Sequence, residues 1–138
     1  MTGFVVDASM AASWFLPDEA NGGTNLLAER AEREAPLTPG LFRHEMRSLF
    51  VMAVRRKRGA RDDLMRQLDI VERLFAKDEG PGDARAIVAL AFKHGLTSYD
   101  ATYLALALER GAALATLDRA LAAAARKEGV EALGTASG

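Results

Sequence analysis

Cysteine is absent from this 138-residue chain, and histidine and proline are scarce, at two and four residues. The lack of cysteine excludes disulfide bonds, zinc–thiolate sites and cysteine nucleophiles. His44 and His94 alone cannot build a typical histidine-rich metal site. No apolar run approaches membrane-spanning length and no segment resembles a signal peptide, so we expect a soluble, cytoplasmic protein with no membrane association.

The length and charge set further limits. A chain of this size fits one domain, and we expect residues 1–133 to form it, with a disordered tail at 134–138. The abundance of alanine and leucine and the low aromatic content of 7% predict more helix than strand. Because the net charge is only −1, a polyanionic partner would have to be met by a local basic patch.

The most informative stretch lies near the amino terminus. The short apolar run Phe4–Val6 ends on a carboxylate, Asp7, and an apolar segment with helical spacing follows. Such a run is typical of a buried parallel strand, and the carboxyl ends of parallel strands are where open α/β sheets bind ligands. Asp7 or Ser9 could equally cap the following helix, because Asp and Ser are favoured at that position. Both interpretations stay open from this stretch alone.

Three further carboxylates occupy similar positions. Asp118 follows the apolar run 112–117, while Glu45 and Asp100 lie early in predicted helices that follow extended segments. A first-turn carboxylate such as Asp100 can also be explained by the helix dipole. The alternation of strands and helices predicts a parallel sheet covered by helices on both faces. All four carboxylates are then expected at one edge of the sheet.

A cluster of this kind favours a bound cation. Carboxylates held close together repel one another and become protonated unless a cation intervenes. Because the four candidates are all carboxylates, they offer only hard oxygen ligands, which favour Mg²⁺ or Mn²⁺ over Zn²⁺. Such a site suits activation of water for attack on a phosphodiester.

The chain also resembles a known family. Four segments carry the resemblance to PIN-domain ribonucleases of the VapC toxin type: VVDASMAASWFLPDE, TPGLFRHEMRSL, HGLTSYDATYLALALERGAALATLDRAL and VEALG. The resemblance implies a three-layer α/β/α fold with parallel strand order 3-2-1-4-5. It also implies that Asp7, Glu45, Asp100 and Asp118 form an acidic catalytic quartet, with Asp7 and Asp100 as the principal ligands of Mg²⁺ or Mn²⁺. Ser9 and Thr116 match small hydroxyl residues found beside such sites.

Two features depart from the family's pattern. Ser48 stands one turn after Glu45, where an asparagine is usual. The region of the third strand is short, with only residues 76–82 in its place, so we expect that strand to be weak or missing.

The resemblance implies a metal-dependent endoribonuclease that acts as the toxin of a toxin–antitoxin pair. It further implies an RNA substrate, a homodimer and a cognate VapB-like antitoxin that inserts into the acidic groove. The basic cluster 55–61 is either a solvated helix end or a contact for the RNA backbone. The alternative is a catalytically inactive PIN-fold binding module. A phosphotransferase with a nucleophilic aspartate is disfavoured, because Ser9 stands where a second aspartate would be needed.

Overall fold

The computed structural model describes residues 3–16, 22–75 and 77–135. The order of strands and helices is β1 Phe4–Val6, α1 Ala8–Phe15, α2 Gly22–Arg33, β2 Leu37–Thr38, α3 Leu41–Arg55, α4 Arg61–Ile70, β3 Lys77–Asp78, α5 Ala84–His94, α6 Ser98–Arg110, β4 Ala113–Ala115, α7 Arg119–Lys127 and β5 Ala132–Leu133. Two helices separate each pair of successive strands from β1 to β4, and one helix separates β4 from β5.

The sheet is parallel throughout and has the order β3-β2-β1-β4-β5. This confirms the predicted α/β class and the predicted strand order. Strand β3 is present, but it consists of two residues that pair with Leu37 and Thr38 of β2. The third strand is therefore weak rather than missing.

Strand β1 lies at the centre of the sheet, and its composition explains that place. Phe4, Val5 and Val6 are fully buried, because helices cover both faces of the strand. A strand buried on both faces is apolar along its whole length instead of alternating with polar residues. The chain leaves β1 at Asp7, so the sequence itself places a carboxylate at the centre of the carboxyl edge.

The helices form one layer on each side of the sheet. Crossover connections between parallel strands are right-handed, so connections that lead to β2 and β3 lie on the opposite face from those that lead to β4 and β5. Helices α1 to α4 pack against one another on the first face, and α5 to α7 pack together on the second. The core of the first layer includes Met10, Phe42 and Met46, and that of the second includes Leu104 and Leu121.

Helix α4 shows one irregularity that the sequence pattern did not reveal. The spacing of Leu64, Leu68, Val71 and Phe75 predicts one amphipathic helix from Asp62 to about Lys77. The chain is α-helical only to Ile70 and continues as a π-helical turn, Val71–Phe75. Val71 is fully buried at the start of this turn. The change of period keeps the chain against α3 just before it enters β3.

Residues 134–138 were predicted to form a disordered tail. Gly134 and Thr135 are within the described residues, and the guanidinium of Arg126 donates to Thr135 Oγ1 at 3.1 Å. Residues 136–138 lie outside the described residues, so the predicted disorder there stays a prediction. Across the described ranges, no helix combines the length and apolar character needed to cross a membrane.

Candidate active site

All four predicted carboxylates line one cavity at the carboxyl edge of the sheet. Its volume is about 320 Å³, and its mouth is open to solvent. Asp7 and Asp118 follow the ends of strands β1 and β4. Glu45 and Asp100 lie within the first two turns of helices α3 and α6. The lining residues are Asp7, Ala8, Ser9, Glu45, Ser48, Leu49, Asp100, Tyr103 and Asp118.

Asp7 is held by a nearly complete set of hydrogen bonds. Its Oδ1 accepts from Ser9 Oγ at 2.7 Å and from the backbone N–H of Met10 at 2.9 Å. Its Oδ2 accepts from Thr116 Oγ1 at 2.5 Å. Asp7 is thus the N-cap of α1 and also lines the cavity. The capping interpretation is confirmed, and a functional role for Asp7 stays a prediction.

These hydrogen bonds do not fully offset the cost of burying Asp7. Only 4% of the residue is exposed, and desolvation raises the pKa of its carboxyl group to about 6, against an ordinary value of 3.8. The hydrogen bonds from Thr116, Met10 and Ser9 lower that pKa in part, while the negative charge of Asp100 raises it further. A carboxylate in this position is destabilised by its surroundings unless a cation compensates for it.

Thr116 and Ser9 join the ends of β1 and β4. Thr116 Oγ1 accepts from the backbone N–H of Asp118 at 3.0 Å while it donates to Asp7. Ser9 Oγ accepts from the backbone N–H of Leu117 at 3.1 Å and also donates to Asp7. The two hydroxyl groups therefore fix the position of Asp7 relative to the strand end that carries Asp118.

Glu45 has a partner that the sequence analysis missed. Tyr103 is buried on α6, and its hydroxyl donates to Glu45 Oε1 at 2.5 Å. Burial and the charge of Asp100 raise the pKa of Glu45, whereas the Tyr103 hydrogen bond lowers it. The pKa of Tyr103 itself is raised, mainly by burial and then by the charge of Glu45, so Tyr103 stays a hydrogen-bond donor. The sequence signal that could have revealed this partner is the position of Tyr103 three residues after Asp100, on the same face of α6.

Asp100 and Asp118 complete the acidic wall. Thr97, not Asp100, caps α6, and its Oγ1 accepts from the backbone N–H of Asp100 at 3.1 Å. Asp118 caps α7 by accepting from the backbone N–H of Leu121 at 3.0 Å. Burial raises the pKa of Asp100, and the charge of Asp118 raises it further. The acids are therefore close enough to influence one another.

The cavity combines negative charge with oxygen donors. Its lining contains four carboxylates and the hydroxyl groups of Ser9, Ser48 and Tyr103, and no lysine, arginine or histidine among the residues that the structure describes. Within the same described ranges, no three His, Asp or Glu side chains are arranged so that they alone could hold a metal ion. The carboxylate and hydroxyl oxygens of the lining are hard ligands of the kind that Mg²⁺ and Mn²⁺ prefer. Ser48 lies in the wall, at the place where the sequence departed from the expected asparagine.

The basic cluster 55–61 does not belong to this wall. Helix α3 runs from Glu45 to Arg55 away from the cavity, and ten residues of α-helix span roughly 15 Å. Any phosphate bound at the cluster would therefore lie roughly 15 Å from one bound beside Glu45.

Comparisons with known proteins find matches along most of the chain. The family model described as the PIN domain matches residues 4–127. The chain is 36% identical over 123 residues to Ribonuclease VapC3 of Pyrobaculum aerophilum, with 86% of this chain and 91% of that protein covered. The crystal structure of PAE2754 from Pyrobaculum aerophilum is similar with a TM-score of 0.71 and 25% identity, covering 95% of this chain and 83% of that one. The structure of FitAcB from Neisseria gonorrhoeae gives a TM-score of 0.66 and covers 95% and 96%, and at 16% identity it shows a shared fold only.

Proposed function

Since the chain belongs to the PIN-domain family, we propose that it is a divalent-metal-dependent endoribonuclease that acts as the toxin of a toxin–antitoxin pair. The observation that carries the proposal is the convergence of Asp7, Glu45, Asp100 and Asp118 on one cavity. The resemblance to Ribonuclease VapC3 along most of both chains supports RNA as the substrate. An RNA-cleaving toxin of this kind would act in the cytoplasm.

Asp7 and Asp100 are the residues that would hold Mg²⁺ or Mn²⁺. Both have a raised pKa because they are buried beside other acids, so a cation would relieve an existing electrostatic cost. When bound, the ion would supply Lewis-acid stabilisation of the phosphodiester and a more acidic water.

The chain's own residues would position the reacting groups. Ser9, Thr116 and the Met10 backbone N–H use lone pairs of both oxygens of Asp7, which fixes the orientation of that carboxylate. Tyr103 occupies one oxygen of Glu45 and leaves Oε2 able to accept a proton from an attacking water. Asp118 faces the same space from the end of β4. The negative charge of the four acids would repel anions, so the substrate phosphate would bind in the cavity only together with a cation.

The partners proposed for the protein follow from the same surface. We expect a cognate VapB-like antitoxin to inhibit it by covering the acidic cavity, where a cationic side chain would compete for the carboxylates. The protein is proposed to form a homodimer, as in the family it belongs to. The basic cluster 55–61 would contact the RNA backbone at a distance from the cut, where it adds affinity but little sequence preference.

Cleavage of a mixed RNA substrate with Mg²⁺ or Mn²⁺, compared between the wild type and Asp7→Asn, tests the proposal. We expect metal-dependent cleavage that is lost in the variant, because the substitution keeps the size of the side chain and removes its charge. Asp83→Asn, at an exposed N-cap of α5, is the matched control and should cleave normally.

Three other outcomes would contradict the proposal. Equal cleavage by the wild type and Asp7→Asn would indicate a contaminating nuclease. Metal binding without cleavage of any RNA would favour the catalytically inactive binding module. No binding of either metal in a titration followed by calorimetry would refute the mechanism.

A further inference from the structure

A second cavity lies beside the acidic one on the same two helices. It has a volume of about 570 Å³, and we call it the Tyr99 groove. Helices α3 and α6 and the loops after β2 and β3 form its walls, with the lining residues Leu41, His44, Pro81, Ser98, Tyr99 and Thr102. A hydrogen bond of 2.8 Å from the Gly40 N–H to the Gly80 carbonyl joins the two loops, so the groove has a defined floor.

The Tyr99 groove and the acidic cavity are lined by consecutive residues of the same helices. On α6, Tyr99 lines the groove and the next residue, Asp100, lines the acidic cavity. On α3, His44 lines the groove and the next residue, Glu45, lines the acidic cavity. Consecutive residues of a helix point about 100° apart, so the two cavities open on adjacent faces of the same two helices, and a nucleotide whose phosphate lies at the acids can place its base, or that of its neighbour, in the groove.

The side chains of the groove suit a base better than a phosphate. Tyr99 is 60% exposed, so its ring offers an open face for stacking. His44 and Ser98 are exposed and can each both donate and accept a hydrogen bond.

Asp78 is the only carboxylate in the lining, and no lysine or arginine lines the groove among the described residues. Asp78 Oδ1 accepts from the Gly80 N–H at 2.9 Å, and its Oδ2 lies 3.7 Å from Arg43 Nη1. The lining therefore offers no cation to a phosphate, whereas the oxygens of Asp78 keep lone pairs for the amino group of a base.

We propose that the Tyr99 groove binds a nucleobase of single-stranded RNA next to the scissile phosphate, with the base stacked on Tyr99 and its edge facing His44, Ser98 and Asp78. This inference rests on the proposed ribonuclease function and adds a specificity site to it. The four acids then select the phosphate, and the groove selects the base beside it. Cleavage would depend on the identity of that one base.

The test separates binding from cleavage. RNA binding is measured by fluorescence anisotropy with labelled single-stranded RNA in the Asp7→Asn background, where cleavage is removed. Into this background we introduce Tyr99→Ala, Tyr99→Phe, or Phe92→Ala as the matched control, since Phe92 is 85% exposed on α5 and lines neither cavity. Base preference is measured with the same three substitutions in the wild-type protein, by sequencing the products of an RNA pool randomised around the cut.

We expect Tyr99→Ala to weaken RNA binding about tenfold, as loss of one stacked base would, and to flatten the base preference beside the cut. Tyr99→Phe, which keeps the ring face, and Phe92→Ala should behave like the parent protein. Unchanged binding and preference in Tyr99→Ala would overturn the inference while the ribonuclease function stands. Absence of both RNA binding and cleavage in the wild type would overturn the two together. Loss of self-association in Tyr99→Ala, with RNA binding intact, would assign the groove to a second copy of the chain and would also overturn it.

Discussion

Replacing Asp7 by asparagine should stabilise the metal-free protein at neutral pH while it abolishes cleavage. The pKa of Asp7 is raised from 3.8 to about 6, chiefly because burial desolvates the carboxylate. The folded state therefore binds the Asp7 proton more tightly than the unfolded state does. The resulting stability is fully present below the unfolded pKa and is lost as the pH rises through the folded pKa.

The size of the effect follows from the shift. Roughly two pKa units at about 1.36 kcal/mol each correspond to about 3 kcal/mol of folding free energy lost when Asp7 ionises. Asparagine is uncharged and avoids this loss. Its oxygen can still accept from Ser9 and Met10, and its amide can donate to Thr116 Oγ1, although that reverses one hydrogen bond. Allowing about 1 kcal/mol for the reversal, we expect a net gain of about 2 kcal/mol.

The assay is urea unfolding in EDTA, followed by circular dichroism, at about pH 8 and about pH 4. The advantage of Asp7→Asn should be near its full value at the higher pH and should largely disappear at the lower one. Asp83→Asn is the control, because Asp83 caps α5 through the same kind of backbone hydrogen bonds but is exposed. Its stability should stay within about 0.5 kcal/mol of the wild type at both values.

Either of two results would refute the reasoning. One is that Asp7→Asn is no more stable than the wild type at about pH 8 without metal. The other is that its advantage persists unchanged at about pH 4, which would show that the charge of Asp7 is not the cause. Addition of Mg²⁺ or Mn²⁺ provides an internal check, because the ion should stabilise the wild type and should have little effect on the variant.

Three further predictions concern the surroundings of the acids. Tyr103→Phe should leave the fold intact but reduce cleavage about tenfold. The Tyr103 hydrogen bond lowers the pKa of Glu45 in the wild type, so its loss should raise that pKa and move the acidic limb of the pH–rate profile to higher pH. An unchanged profile would contradict this. Thr116→Val should lower the free energy of unfolding, measured in urea, by about 2 kcal/mol, because Thr116 both donates to Asp7 and accepts from the Asp118 N–H. Thr102→Val is the control and should cost less, because the Thr102 hydroxyl donates to a carbonyl of its own helix. Gly134→Ala should lower the free energy of unfolding, measured by thermal denaturation, by about 1–3 kcal/mol. Gly134 has a φ of +97°, and an added Cβ would collide with the methyl group of Met10 and approach the Thr116 carbonyl. A variant as stable as the wild type would show that Gly134 packs differently.

Most elements of the fold could be predicted because their signals are local. The run Phe4–Val6 is apolar enough to need burial on both faces. Asp83 caps the start of α5 and Gly95 ends it, as aspartate before a helix and glycine after one predict. His94 is the last residue of α5, and its Nε2 lies 2.6 Å from the carboxylate of Glu128 at the end of α7. The π-helical turn Val71–Phe75 was not predicted, because a change of helical period depends on packing against α3.

The sequence by itself determined which acids could meet. A carboxylate that follows a buried parallel strand, or lies early in the helix after one, must lie near the carboxyl edge of the sheet, so Asp7, Glu45, Asp100 and Asp118 could be grouped before any coordinates were known. Only the tertiary structure decided what surrounds them. The Tyr103–Glu45 hydrogen bond joins residues 58 positions apart, and the Thr116–Asp7 hydrogen bond joins residues 109 positions apart. Strand order and hydrophobic pattern fix where the backbone of each element ends, whereas the partner of a buried side chain depends on the distance and rotation between packed helices, which no local pattern encodes.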